Sequence, residues 1–331
     1  MESRRARRSR RARPSGRRPL VYTALATVVI VGGTAAGTVY VKAQAHDGSA
    51  TVSSSSSPAV VAAQGKASVE PVTQPAVDHD ELLATAMDTV TVPDGAEVSV
   101  AVLDLDSGDS ATYGDAAFDT ASIVKVDILA TLLLQAQDED RHLTTAEKAY
   151  ATAMIENSDN TSASALWRII GKAEGLDAAN ERFGLTGTEG GDDMLWGLTQ
   201  TTAADQLTLL QQVFGDDSQL SEASQEYLQG LMGEIAADQH WGVSAAADGS
   251  GWALKNGWLP RSATSLWDIN SIGRVTASDG KDYLVVALSD GNATKEKGIS
   301  LVESAARAAV SVFTGESTSA SPSATATPTA S

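Results

Sequence analysis

The stretch FDTASIVKVDILATLLLQ, Phe118–Gln135, places a serine and a lysine at the start of a largely apolar helical pattern. Ser122 and Lys125 are three residues apart, so on a helix they share one face and the amine reaches the hydroxyl. A neutral amine at that distance could take the serine proton and make the hydroxyl a nucleophile. The pair alone is ambiguous, because serine is also a common helix cap and a lysine one turn later is ordinary.

A second motif, Ser158-Asp159-Asn160, lies in the break between two predicted helices. It offers a hydroxyl that could relay a proton and an amide that could bind a substrate amide. The same residue types cap helices, so the motif could also begin the helix expected near Thr161. Capping and catalysis are compatible, and the tripeptide is uncommon by chance.

A third motif, Lys255-Asn256-Gly257, lies on the first predicted strand after the helical segment. The lysine charge could hold a substrate carboxylate and favour the neutral form of Lys125. Lys-x-Gly is a common pattern, and Lys255 could instead be a solvated strand lysine. The order of the three motifs along the chain is more informative than any one of them.

In this order, the motifs resemble those of the penicillin-recognising serine hydrolases, and most closely the class A β-lactamases, over about residues 80–313. The resemblance implies acyl transfer without a cofactor or metal, on a β-lactam or a peptidoglycan peptide. The implied site consists of Ser122 as nucleophile, Lys125 as general base, Ser158 as proton relay, Asn160, Lys255, Asn256 and Gly257 as substrate-binding residues, and the Ser122 and Trp258 backbone N–H groups as oxyanion hole.

The resemblance fails at the deacylation step. Class A enzymes carry Glu-x-x-Leu-Asn on a loop after the Ser-Asp-Asn motif, and that glutamate activates the water that releases the acyl group. Here the loop GLTGTEGGDDMLWGLTQ, 184–200, is short and contains only Glu189, Asp192 and Asp193 as carboxylates. Glu189 is the best candidate for a deacylation base. In addition, Asn256 replaces the usual threonine or serine.

The elements that must position these residues follow from hydrophobic periodicity and turn signals. The predicted elements are a helix at Asp80–Val90, a hairpin of strand Glu97–Asp104 with 110–115, helices from Ser122 to about Ile235, strands at 252–257, 264–276 and 282–291, and a helix at Lys295–Val312. A capping box at Thr144–Glu147 and a stop at Gly171 mark two helix ends. This order predicts an α/β fold of the α+β type over 78–313, in which an antiparallel β-sheet is flanked by N- and C-terminal helices and carries an all-α inserted lobe.

Composition excludes several other kinds of site. The chain of 331 residues has no cysteine, which removes disulfides, thiol nucleophiles and thiolate metal sites. Its four histidines lack metal-ligand spacing, so we expect no metal and no cofactor. Residues 1–45 hold ten of the 24 basic residues but one of the 42 acidic ones, so the remainder is strongly acidic. Nucleic acid would be repelled by it.

The basic N-terminus precedes an apolar segment. Leu20–Val41 has 22 uncharged residues and would reach about 33 Å as a helix, enough to cross a bilayer. We predict a cytoplasmic 1–19, an anchor at 20–41, a flexible Ser/Ala-rich spacer at 46–77 and a disordered tail at 314–331. The domain would then be a monomer at the cell membrane, outside the cytoplasm, or secreted if the chain is cleaved after Ala45.

Three functions remain open at this stage. The first is an extracytoplasmic serine acyl-hydrolase of the class A β-lactamase type, with an acyl-enzyme on Ser122. The second uses the same chemistry as a cell-wall D-Ala peptidase or slow-turnover penicillin-binding protein, and the missing glutamate favours it. The third is a catalytically silent peptidoglycan-binding or sensor domain on the same fold, which Asn256 and the missing glutamate would allow.

Overall fold

Seven β-strands lie within residues 77–315, the part of the chain that the computed structural model describes. They are β1 (Glu97–Asp104), β2 (Ser110–Tyr113), β3 (Phe118–Asp119), β4 (Gln200–Thr201), β5 (Trp252–Pro260), β6 (Trp267–Thr276) and β7 (Asp282–Asn292). Five form one antiparallel sheet in the order β2-β1-β7-β6-β5, while β3 and β4 pair with each other. The predicted antiparallel sheet is confirmed.

Eight α-helices surround this sheet in the same range. They are α1 (His79–Met87), α2 (Val124–Asp138), α3 (Thr145–Glu156), α4 (Asn160–Ile169), α5 (Lys172–Phe183), α6 (Ala203–Phe214), α7 (Glu222–Gly233) and α8 (Lys295–Thr314). The terminal helices α1 and α8 flank the sheet, and α2 to α7 form the insert between β3 and β5. The predicted fold class, with its all-α inserted lobe, is therefore confirmed.

The two faces of the sheet bury different cores. Along β7, Leu284 and Val286 pack into the core shared with the inserted helices, whereas Val285 and Ala287 pack into the core shared with α1 and α8. This alternation follows from the two-residue period of a strand. Because both faces are covered, the middle of β7, from Tyr283 to Leu288, is a continuous hydrophobic run.

Local signals account for most element boundaries, although α1 ends at Met87 and not at Val90, and β5 continues past 257 to Pro260. Thr144 and Glu147 form the predicted capping box of α3, and Gly171, with φ of 97°, follows α4 as predicted. The strand predicted to begin at 264 begins only at Trp267, because the residues before it close the β5–β6 turn. In that turn the Ser265 N–H donates to the Arg261 carbonyl oxygen at 2.7 Å.

α2 is the central helix of the inserted lobe. Twelve of its fifteen residues are buried, including the polar Lys125, Asp127 and Thr131. A helix that is buried on nearly all sides needs apolar residues around its whole circumference, which the run ILATLLL supplies. The start of α2 lies next to β5, an edge strand of the sheet, and Ser122, Lys125 and Lys255 meet there.

The predicted anchor 20–41, the segments around it up to residue 76, and the tail from 316 onward lie outside the described residues. Within 77–315, no helix has the combination of length and apolar character that a bilayer crossing requires.

Candidate active site

Ser122 lies on a tight turn held against the sheet. It is the middle residue of the 3₁₀ segment Ala121–Ile123, which runs directly into α2. The Asn270 amide of β6 donates to the carbonyl oxygens of Asp119 and Thr120, at 2.9 and 3.1 Å. Asn270 is buried on an inner strand, so these bonds fix the turn, and Ser122 itself remains half-buried and accessible.

The Lys125 amine is the centre of the site. Its Nζ lies 2.9 Å from Ser122 Oγ, 3.0 Å from Ser158 Oγ, 2.7 Å from the Ser158 carbonyl oxygen and 2.8 Å from Asn160 Oδ1. A neutral amine has two N–H groups and one lone pair. It can therefore donate to two of these oxygens and accept the proton of the Ser122 hydroxyl.

Burial makes that neutral form accessible. The Lys125 side chain is fully buried, and this lowers its pKa from 10.5 to about 7, against the opposing charge of Asp159. Burial also lowers the pKa of Lys255, and there the charge of Lys125 lowers it further. The sequence-based expectation gave Lys255 a part in neutralising Lys125, but burial is the cause for Lys125 itself.

Ser158 lies between the two lysines. Its Oγ accepts from Lys125 Nζ at 3.0 Å and from Lys255 Nζ at 3.1 Å, and its φ of 54° is uncommon for a residue with a side chain. Asp159, not Ser158, caps α4, since its carboxylate accepts from the Ser162 N–H at 2.7 Å. The motif therefore both caps a helix and presents the Ser158 hydroxyl to two amines.

Lys255 and Gly257 face the inserted lobe from β5, the edge strand of the sheet. Lys255 is fully buried, and its Nζ also donates to the Asn256 carbonyl oxygen at 3.0 Å. A Cβ on Gly257 would lie 2.7 Å from the Thr120 carbonyl oxygen and 2.9 Å from the Ser122 nitrogen. Only glycine lets β5 approach the Ser122 turn this closely.

Asn256 differs from the sequence-based expectation that it contacts substrate. Its side chain points to the other face of β5, is fully buried, and donates to the carbonyl oxygens of Gln239 and Trp241 at 2.7 and 3.0 Å. Both amide hydrogens thus bind the protein's own backbone. Alternation along the strand explains this, because neighbours of Lys255 and Gly257 must face away from the lobe.

Trp258 lies on β5, next to Gly257, and Asn160 begins α4. The Trp258 ring is half-buried on the α8 side of β5, with Lys295 Nζ 4.2 Å from its centroid. On an edge strand every second backbone N–H faces away from the neighbouring strand and can bind a ligand. The oxyanion-hole role of the Trp258 N–H stays a prediction. Asn160 is exposed at the start of α4, and its Oδ1 is bonded to Lys125.

Glu189 is not among the residues that meet at Ser122. It is exposed, and its backbone pairs with Gln200 at 3.0 Å in each direction. Within residues 77–315, no carboxylate forms a hydrogen bond or ion pair with Ser122 or Lys125. The deacylation role of Glu189 therefore stays a prediction without a contact to support it.

Two residues near the site escaped the sequence analysis. The Trp196 ring centroid lies 5.0 Å from Lys125 Nζ, and a lone tryptophan in a loop carries no signal that would reveal this. Asp127, on the opposite side of α2, is a buried carboxyl whose pKa burial raises to about 7. An aspartate in the apolar run, two residues after Lys125, was the sequence signal that could have indicated this buried carboxyl.

Solved structures of similar fold are numerous. PBP-A is 20% identical with a TM-score of 0.61, covering 71% of this chain and 97% of that one, and a PBP-A mutant was solved as an acyl-enzyme complex with penicillin G. The extended-spectrum β-lactamase TLA-1 is 15% identical, with a TM-score of 0.60 and coverage of 70% and 96%. A β-lactamase from Chitinophaga pinensis is 19% identical, with a TM-score of 0.57 and the same coverage. At these identities the likeness shows the fold alone.

Comparison of the sequence indicates a protein family as well as a fold. No curated protein matches the chain. Residues 146–313 match the family described as the β-lactamase enzyme family. The match includes Ser158 and Lys255 and begins after Lys125, whose geometry is given by the structure. The chain thus belongs to the β-lactamase enzyme family and is a serine hydrolase of β-lactamase type.

Proposed function

We propose that this protein opens the amide of a β-lactam through an acyl-enzyme on Ser122. The observation that carries the proposal is the Lys125 amine, which is buried, has a pKa lowered to about 7, and lies 2.9 Å from Ser122 Oγ. A base whose pKa is near the working pH combines a populated neutral form with enough basicity to take a proton.

During acylation the bond from Ser122 Oγ to the carbonyl carbon forms and the lactam C–N bond breaks. Ser122 Oγ attacks the lactam carbonyl carbon while its proton passes to Lys125 Nζ. The C–N bond breaks as the tetrahedral intermediate collapses, and the nitrogen needs a proton. Ser158 Oγ, 3.0 Å from the now protonated Lys125, gives its proton to that nitrogen and is reprotonated by Lys125.

The second lysine orients this relay. Lys255 Nζ donates to Ser158 Oγ at 3.1 Å, which leaves the hydroxyl hydrogen free to point to the leaving nitrogen. When protonated, Lys255 has three N–H groups, of which two bind Ser158 Oγ and the Asn256 carbonyl oxygen. The third is available to the substrate carboxylate, while the Ser122 and Trp258 N–H groups would hold the oxyanion.

Labelling by a fluorescent penicillin tests this proposal. Wild-type protein should become covalently labelled, and Ser122→Ala should not. Ser300→Ala is the control, because the exposed Ser300 hydroxyl on α8 donates to the Glu296 carbonyl oxygen and contacts neither Lys125 nor Lys255. Equal labelling of wild type and Ser122→Ala would exclude Ser122 as the acylated residue.

A slow penicillin-binding protein or cell-wall D-Ala peptidase is the second candidate. It is favoured by one observation, the lack of a carboxylate bonded to Ser122 or Lys125 within residues 77–315. Mass spectrometry separates the candidates. An adduct that persists for many minutes supports the second function, whereas immediate turnover of a chromogenic cephalosporin supports the first and rules the second out.

We further propose that the domain acts outside the cytoplasm as a monomer anchored through 20–41. The support is the charge-free Leu20–Val41 segment after nine arginines. Protease treatment of intact cells should degrade the domain if it is anchored outside, and light scattering of the purified chain should give the monomer mass. Protection of the domain until the cells are lysed would contradict this location.

A further inference from the structure

The Trp196 ring lies beside the Lys125 amine, in addition to its hydrogen-bonding oxygens. It begins the 3₁₀ segment Trp196–Leu198 at the end of the loop, and its ring centroid lies 5.0 Å from Lys125 Nζ. Its Nε1 donates to Ser164 Oγ at 3.1 Å, which anchors the indole to α4. The ring is thus held in one orientation over the amine.

The same segment lies directly against the turn Ala121–Ile123, which carries Ser122. A Cβ on Gly197 would be 3.8 Å from the Ala121 carbonyl oxygen, next to Ser122 in the chain. The segment is continued by Thr199, whose carbonyl oxygen accepts from the Thr120 N–H at 2.8 Å. An indole fixed on both sides therefore occupies space beside the catalytic amine that water would otherwise fill.

We propose that Trp196 is a positioning residue that keeps water away from Lys125 and from the acyl group on Ser122, so that the acyl-enzyme is long-lived. The inference rests on the proposed acylation of Ser122. It goes further by assigning slow release to a residue outside the three motifs. Water that reaches the ester would find no carboxylate bonded to this site within residues 77–315, and the indole limits its access as well.

The indole acts on the Lys125 charge in two opposing ways. The ring face, 5.0 Å from the amine, attracts an ammonium and so favours the charged form of Lys125. Burial acts in the opposite direction and lowers the pKa from 10.5 to about 7. Water that replaces the indole would favour the charged amine, so we expect Trp196→Ala to raise the pKa of Lys125.

The first test measures how long the adduct lasts. Full-length protein is acylated with penicillin G, excess reagent is removed, and the Ser122 adduct is followed by mass spectrometry. Trp196→Ala should lose the adduct several-fold faster than wild type, and Trp196→Phe, which keeps an apolar cover, should restore most of the lifetime. Leu195→Ala is the matched control, since that neighbouring side chain is 54% exposed. Equal lifetimes in Trp196→Ala and Leu195→Ala would overturn the inference.

The second test reads the amine itself and does not need acylation. The Lys125 ¹³Cε shift, assigned by its loss in Lys125→Met, is titrated by NMR in wild type and Trp196→Ala. We expect the pKa to rise, and below neutral pH each unit of rise would lower the neutral fraction of the amine, and so slow acylation, about tenfold. An unshifted titration would contradict the inference even if labelling succeeds, whereas a wild type that is never acylated would remove the proposed function and this inference together.

Discussion

Replacing Lys125 by methionine separates a catalytic base from a helix-capping neighbour. Methionine keeps the unbranched apolar stem but cannot take a proton or donate to Ser158 and Asn160. Loss of a general base lowers a rate by roughly two to four powers of ten, and we expect that loss for acylation of Ser122. If Ser122 only capped the helix, the substitution would leave any acylation unchanged.

The stability of the same variant should move the other way. The pKa of Lys125 is about 7 in the folded protein and 10.5 as its ordinary value, so the folded state binds fewer protons between these pH values. Wild-type stability should therefore rise from pH 7 to 10.5, by at most about 5 kcal/mol, and should level off below pH 7, where both states carry the proton. Lys125→Met lacks this dependence and should be at least as stable as wild type near pH 7.

Both effects are measured on the same preparations. Acylation is followed with a fluorescent penicillin, and the free energy of unfolding is obtained from urea titrations at several pH values. A well-folded Lys125→Met protein that is acylated at the wild-type rate would refute the assignment of the base. A wild-type stability that stays flat between pH 7 and 10 would refute the strained, buried amine.

Three further substitutions test other parts of the site. Gly257→Ala should abolish acylation in a protein that still folds, because its Cβ would lie 2.7 Å from the Thr120 carbonyl oxygen; labelling and circular dichroism check this. Asn256→Ala should cost about 1–3 kcal/mol in urea unfolding, since two buried carbonyl oxygens lose their donors. For Asp127, burial raises the pKa to about 7, so wild-type stability should fall as the pH rises from about 4 to 7, and Asp127→Asn should remove that fall in thermal unfolding. Gly257→Ala with wild-type labelling, an unchanged Asn256→Ala midpoint or a persistent pH slope in Asp127→Asn would each contradict its argument.

The parts of the site that were predictable are those fixed by local chemistry and strand order. Ser122 and Lys125 are one helical turn apart, and any helix brings them together. Ser158 and Lys255 join them because the predicted strand returns past the start of α2, which the order of motifs already suggested. Glycine at 257 is likewise readable as a place of close approach.

The remainder depends on tertiary contacts that no local pattern encodes. Asn256 was assigned to the substrate by resemblance, although strand alternation places it on the opposite face from Lys255 and Gly257. Trp196 comes to Lys125 only through the path of the loop and its bond to Ser164. The resemblance directed attention to a carboxylate in that loop, and the described structure brings an indole to the amine.

The most direct test of the central assignment is the mass of the protein after exposure to penicillin G. Wild type should gain the mass of one penicillin, and peptide mapping should locate it on the peptide that contains Ser122. Ser122→Ala, treated identically, should gain nothing. An adduct on any other residue, or an unmodified wild type that nevertheless binds penicillin, would contradict the account.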